Sequence, residues 1–248
     1  MPSFPNIRIV LIGTTHPGNI GAAARAMKTM CMDQLYLVNP QCYPCAEATA
    51  RASSANDLLA CARVCTSLDE ALGDCSLVIG ASARLRAMTW PQLDARQSAA
   101  LLLKESRQAQ VALIFGREHS GLTNEELDRC QYLMHVPGNP EYNSLNLAAA
   151  VQVMAYEIMM GSLISSQTDV GAEGGNMDYA SGEETEAFYT HLEETLIEID
   201  FLDPENPRLL MRRLRRLFNR VRLDKNEVNI LRGILTAARN RKRVSPLS

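Results

Sequence analysis

Five short apolar runs, each followed by a stretch of helical character, constrain this chain more than any other feature in it. The runs are Ile7–Ile12, Leu35–Val38, Leu77–Ile79, Val111–Phe115 and Tyr132–Val136. Several are apolar throughout, as expected of strands buried on both faces of a parallel sheet. Between them Ile20–Met30, Ala46–Val64, Asp94–Ser106 and Thr123–Cys130 read as helices. Strand and helix alternate, so the fold class is α/β, a mostly parallel sheet flanked by helices.

A long helix near Ser144–Leu163 closes this body. Ala148, Ala149, Ala150, Val151, Val153, Met154, Ala155, Ile158, Met159 and Met160 leave it hardly any polar face. A helix apolar all round needs cover on both sides. One side can lie on its own sheet. The other calls for a second copy of the chain, as in a homodimer, or for a third layer of a monomer core. No apolar run approaches the ~20 residues of a membrane span, and the start MPSFPNIRIV lacks a signal-peptide pattern. The expectation is a soluble, cytoplasmic protein with no membrane partner.

Composition changes beyond this helix. Residues 165–182 (SSQTDVGAEGGNMDYASG) are rich in Ser, Gly and acidic residues and read as a linker. The reading is therefore a body over 1–164, a linker over 165–182 and a tail over 183–248. Phe188, Leu192, Leu196 and Ile199 recur at helical spacing in the tail, and Pro207 can start a further helix. There Leu209, Leu210, Leu214, Leu217 and Phe218 form a stripe opposite Arg212, Arg213, Arg215, Arg216 and Arg220. A last helix is expected near Lys225–Ala238, making the tail a small all-α domain.

The net charge of −3 conceals a separation of signs. Pro207 to Ser248 carry thirteen Lys or Arg against two acidic residues, leaving twelve basic and twenty-six acidic among the first 206. An acidic body with a basic tail points to a polyanionic partner met by the tail. With only 5% aromatic residues, a broad stacking platform for single strands is not expected. Seven Cys without a secretion signal argue against a disulfide framework. Cys42, Cys45, Cys61 and Cys65 can be drawn as a zinc site. The stronger reading makes Cys61 and Cys65 small buried residues of an Ala-rich helix, and no metal is expected.

Three loops carry candidate chemistry. The first, Gly13 to Arg25, follows the first strand, but its glycines fail the dinucleotide fingerprint and no Walker pattern occurs. Asn19 reads as a helix cap there, with Arg25 two turns further on. The second, Gly116 to Thr123, follows a central strand, and Thr123 with Glu126 forms a capping box. Arg117 and Glu118 in it are either a simple ion pair or site residues. The third, Pro137 to Asn146, is stiffened by two prolines before the closing helix.

In this order, Asn19-x-Gly21-x-x-x-Arg25, Phe115-Gly116-Arg117-Glu118-x-x-Gly121-Leu122 and Ser144-Leu145-Asn146 before an Ala-rich helix resemble the three motifs of SpoU-type RNA ribose methyltransferases, in the SPOUT class. Likeness to one tRNA-modifying branch runs along nearly the whole chain, through Ser82-Ala83-Arg84, Trp90-Pro91 and Leu231-Arg232-Gly233-Ile234-Leu235.

The resemblance implies a C-terminal trefoil knot, homodimers and S-adenosylmethionine as methyl donor. It implies a donor pocket of Ala81, Ser82, Ala83, Gly116, Val136, Ser144 and Leu145. The acceptor would be the 2′-hydroxyl of cytidine or uridine at the first position of the tRNA anticodon loop. Arg25, Ser144 and Asn146 are the implied catalytic residues. A guanidinium is not a general base. Arg25 is therefore read as holding a phosphate and stabilising alkoxide charge, while a phosphate oxygen or water takes the proton. Arg84, Arg86, Arg117, Glu118, Arg212, Arg213, Arg215 and Arg216 are the candidates for tRNA contact, and DNA is not expected. The rival readings are a non-catalytic RNA-binding module of the same fold and a methyltransferase of ribosomal RNA.

Overall fold

The computed structural model describes residues 2–82, 90–139, 141–142, 144–168 and 178–244. Contacts divide the chain into two compact units, Met1–Glu173 and Gly174–Ser248. The first is built on seven strands: β1 (Ile7–Ile12), β2 (Leu35–Val38), β3 (Arg63–Cys65), β4 (Cys75–Ala81), β5 (Gln92–Asp94), β6 (Gln110–Phe115) and β7 (Tyr132–His135). They form one sheet in the order β3-β2-β1-β6-β4-β7-β5, with every pairing parallel.

Alternation along each strand sorts side chains into two cores. Ile7, Ile9 and Leu11, with Leu35, Leu37, Leu113 and Phe115, face one side. Val10 and Ile12, with Tyr36, Val38, Ala112 and Ile114, face the other. All are buried, which is why the strands read as apolar runs. The polar side chain among them, Arg8 of β1, is buried too, at 4% exposed. Its guanidinium grips Asp74 through both terminal nitrogens at 2.7 and 2.8 Å and lies 4.1 Å from the Tyr36 ring centre.

The Ile9 side is covered by α1 (Pro17–Thr29), α2 (Ala46–Ala52), α3 (Asn56–Cys61), α5 (Ala95–Glu105) and α7 (Leu147–Thr168). Short helices α4 (Leu68–Leu72) and α6 (Asn124–Leu127) lie on the other side. α1 and α2 pack so closely that a Cβ at Gly21 would stand 2.0 Å from the carbonyl oxygen of Ala48. Only glycine fits there.

Ala46–Val64 is not one helix: α2 ends at Ser53, where φ is 54°, a 3₁₀ turn follows, and α3 gives way to β3. Cys65 is buried in that strand rather than in a helix, and Cys61 is exposed. Strands β3 and β5, three residues each, were too short to show as apolar runs. Leu147–Ile164 has mean hydropathy 1.6, enough by length and composition to cross a membrane. Gln152 and Glu157 interrupt the run without lowering its average below that of a span. A third of this window is buried, with Val151, Met154, Ala155 and Ile158 in the core shared with α1 and α5. Tyr156, Met160, Leu163 and Ile164 are exposed.

The second unit contains α8 (Gly182–Glu198), α9 (Leu210–Val221) and α10 (Lys225–Val244). Phe188, Tyr189, Leu192 and Val228 form its core, with the Phe218 ring edge-on to Phe188 at 5.1 Å. Ser181 and Glu184 close a capping box on α8. The expected linker boundaries shift at both ends. α7 continues to Thr168, and Asp178 to Ala180 already belong to the tail unit, where Ala180 donates its N–H to the Leu223 carbonyl at 3.0 Å.

Candidate active site

The strand order sets β1, β6, β4 and β7 side by side, all pointing the same way. Their carboxyl ends share one edge, and in open parallel sheets ligands bind at such an edge. A cleft opens there. Ala81 and Ser82 border it from the end of β4, Gly116 to Leu122 from β6, Met134 and Val136 from β7, and Ser144, Leu145, Leu147 and Ala150 from the entry to α7. The Ser82 N–H bonds to the Met134 carbonyl at 2.9 Å, so the chain beyond β4 stays beside β7.

The loop after β6 is a tight knuckle. Arg117 and Gly121 exchange backbone hydrogen bonds at 3.2 and 2.8 Å. A Cβ at Gly116 would stand 2.2 Å from the Gly121 carbonyl carbon, so only glycine lets the two backbones pack together at this edge of the cleft. The Thr123–Glu126 capping box forms as the sequence indicated. Glu126 does a second job, accepting from Arg117 Nη1 at 2.9 and 3.1 Å.

Arg117 and Glu118 therefore do not pair with one another. The Glu118 carboxylate turns to the loop after β1 instead. Oε2 accepts from Thr15 N–H and Thr15 Oγ1 at 3.1 and 2.9 Å, and Oε1 from His16 N–H and Asn19 Nδ2 at 3.2 and 2.8 Å. Burial alone would raise its pKa. The Asn19 amide, the Thr15 N–H and the Thr15 hydroxyl outweigh burial and bring it down from 4.5 to about 2. Expected at the RNA contact, Glu118 is occupied within the chain, holding the first loop to the second.

Asn19 extends the link. Its Oδ1 accepts from Asn146 Nδ2 at 3.0 Å. Asn146 Oδ1 in turn accepts from the N–H groups of Ala148 and Ala149 at 2.9 and 3.4 Å, capping α7. Asn19, expected as a helix cap, lies inside α1. His16 occupies the cap position, without a side-chain bond, and Pro17 opens the helix.

Of the expected donor-pocket residues, Ala81, Ser82, Gly116, Val136, Ser144 and Leu145 border this one cleft. Ala83, Arg84 and Arg86 lie outside the described residues. Among the expected catalytic residues, Ser144 lines the cleft, Asn146 caps α7 beside it, and Arg25 is exposed on α1. In the tail, Arg213 is exposed, and Arg212 and Arg216 are half-buried. Arg215 turns inward, donating through Nη1 to Glu186 at 2.6 and 2.8 Å and lying 4.4 Å from the Tyr189 ring centre. The clamp on Thr15 and His16 went unread in the sequence because its partners lie about a hundred residues apart. The only signal available was the proximity of Thr15 and His16 to the first motif.

The family described as SpoU rRNA Methylase matches residues 6–156, and the tRNA methyltransferase TrmJ C-terminal domain matches residues 183–246. The chain is 53% identical over 237 residues to the Pseudomonas aeruginosa protein named tRNA (cytidine/uridine/adenosine-2′-O-)-methyltransferase TrmJ, covering 93% of this chain and 92% of that one. It is 49% identical to the tRNA (cytidine/uridine-2′-O-)-methyltransferase TrmJ of Sodalis glossinidius, covering 94% and 91%. Among solved structures, TrmJ from Z. mobilis ZM4 superposes with a TM-score of 0.80 at 33% identity, covering 93% of this chain and 97% of that one.

Proposed function

The chain belongs to the SpoU rRNA methylase family, and on that footing we propose that it is a tRNA 2′-O-ribose methyltransferase, moving a methyl group from S-adenosylmethionine to cytidine or uridine at position 32 of the anticodon loop. One observation carries the reading. A body with a cleft at the carboxyl edge of its sheet is joined in one chain to a tail matching the TrmJ C-terminal domain. The names of the relatives at about half identity support tRNA as the substrate.

The lining of the cleft supports this donor. Backbone of Gly116 and Ser82 can read an adenine and ribose, and Leu122, Met134 and Leu147 give apolar cover. Bound there, S-adenosylmethionine supplies a methyl group already activated by its positive sulfur. The chain's task is to aim the ribose oxygen and stabilise it as it loses its proton. Arg25, exposed on α1, fixes the neighbouring phosphate and offsets developing alkoxide charge. The Glu118–Asn19–Asn146 chain holds the Arg25 helix against the Ser144 loop. The exposed apolar strip of α7 supports a homodimer. The sheet's C-terminal part is read as knotted, as in the class, and the basic helical tail as the tRNA-binding domain.

Incubating the protein with labelled S-adenosylmethionine and bulk tRNA tests this directly. The expected product is a nuclease-resistant 2′-O-methylated dinucleotide mapping to position 32. Absence of label in tRNA would overturn the proposal.

A further inference from the structure

The loop joining α8 to α9 forms an open cleft of its own, about 620 Å³ in volume, within the ~300–1,000 Å³ range of ligand sites. The loop is pinned at its start. Asp200 takes a left-handed turn at φ 60°, and the N–H groups of Phe201 and Leu202 both donate to the Leu196 carbonyl at 2.9 Å. Leu202 is thereby buried, while Phe201 beside it is left 66% exposed. A large ring held on a fixed backbone yet open to solvent invites a flat partner.

The cleft is apolar with a cationic rim. Pro207, Leu209 and Leu210 line it beside Phe201, and Arg208 and Arg213 bring two guanidinium groups. Neither guanidinium has an ion-pair partner among the described residues. The one carboxylate in the lining, Asp203, accepts from the Glu205 N–H at 2.9 Å within its own turn. A wholly apolar occupant would bury those guanidiniums unpaired, at high cost. A nucleotide answers both features, because its base stacks on the ring and its phosphate meets the cations. We infer that this cleft seats one unstacked nucleotide of the RNA substrate, its base against Phe201 and its phosphate at Arg208 and Arg213. The inference rests on the tRNA methyltransferase reading and adds to it a defined contact in the tail.

Filter-binding of tRNA by the full-length protein, across a range of salt concentrations and alongside methylation kinetics, tests it. Phe201→Ala is expected to weaken tRNA binding about ten-fold, with kcat at saturating tRNA and the melting temperature unchanged. Phe201→Trp, which keeps a stacking face, should bind like the parent. Arg213→Gln should lower the slope of log affinity against log salt by about 0.7, the value for one contact to a single strand. Parent-like affinity in Phe201→Ala, or an unchanged slope in Arg213→Gln, would overturn the inference. So would weakened binding that coincides with altered sedimentation, which marks the cleft as a contact between protein copies. A parent protein that leaves tRNA unmethylated refutes the broader reading. An active parent with an indifferent Phe201→Ala refutes the cleft alone.

Discussion

Asn146 donates a hydrogen bond to Asn19 at 3.0 Å across 127 positions of sequence, tying the first turn of α7 to the first turn of α1. Asn19 passes the link to Glu118 at 2.8 Å. The start of α1, the loop after β6 and the entry to α7 are thus joined by side chains with complementary donors and acceptors. Such a chain holds its members more firmly than isolated pairs do.

Asn146→Asp separates the two jobs of this residue. An aspartate still accepts from the N–H of Ala148, so the α7 cap survives, but it cannot donate to Asn19. Unchanged thermal stability is expected, with turnover reduced ten-fold or more, on the scale of lost positioning. Parent-like turnover would remove the link from the mechanism.

Glu118 makes the fold sensitive to acid. Its pKa falls from 4.5 to about 2 on folding, so between those values the unfolded state binds more protons and stability rises with pH. The contribution is complete above pH 4.5 and fades as pH drops toward 2. Glu118→Gln should destabilise the protein at pH 7 and flatten the acid limb of melting temperature against pH. Parallel limbs for the two proteins would contradict this.

Arg8 is a buried cation whose charge is met by Asp74. Asp74→Ala leaves it unpaired and is expected to cost about 2 kcal/mol, as for a hydrogen-bonded charge losing its partner. Adding Arg8→Met should recover part of that loss, because no cation then needs solvation. Denaturant titration of the three variants measures the coupling. A double variant less stable than Asp74→Ala would argue against it.

Gly116→Ala places a methyl group where the backbone of Gly121 stands 2.2 Å away. The knuckle must open, and the cleft edge moves with it. Calorimetry should find S-adenosylmethionine affinity reduced at least ten-fold, as the loop loses the close approach only glycine permits. Equal affinity would mean that this edge does not face the donor.

Met160 and Leu163 lie exposed on α7. If this strip is the homodimer face, Met160→Glu puts an uncompensated charge in an apolar interface. Sedimentation should then show monomers at concentrations where the parent is a dimer. A dimer indifferent to the substitution would point to another surface.

Much of the body was legible because its signals are local. Ile7–Ile12 is buried throughout and reads as an apolar run broken only by Arg8, and Thr123 with Glu126 declares a helix start within four residues. The Ala-rich stretch 46–64 misled because alanine suits a helix and nothing in its composition announces the break at Ser53. Arg215 read as a surface cation because its spacing matches its arginine neighbours, yet Glu186 and Tyr189 draw it inward.

Residue order by itself settled the alternation of strand and helix, the identity of the three motif loops and the segregation of positive charge into the tail. Each depends on neighbours within a few positions, where periodicity and side-chain chemistry act. The folded chain alone decided that β1 and β6 lie side by side, and so that Glu118 meets Thr15, His16 and Asn19 rather than Arg117. Strand order arises from the packing of both sheet faces at once. No local pattern carries that information, and the partner of a polar side chain a hundred residues away is fixed only when the sheet is complete.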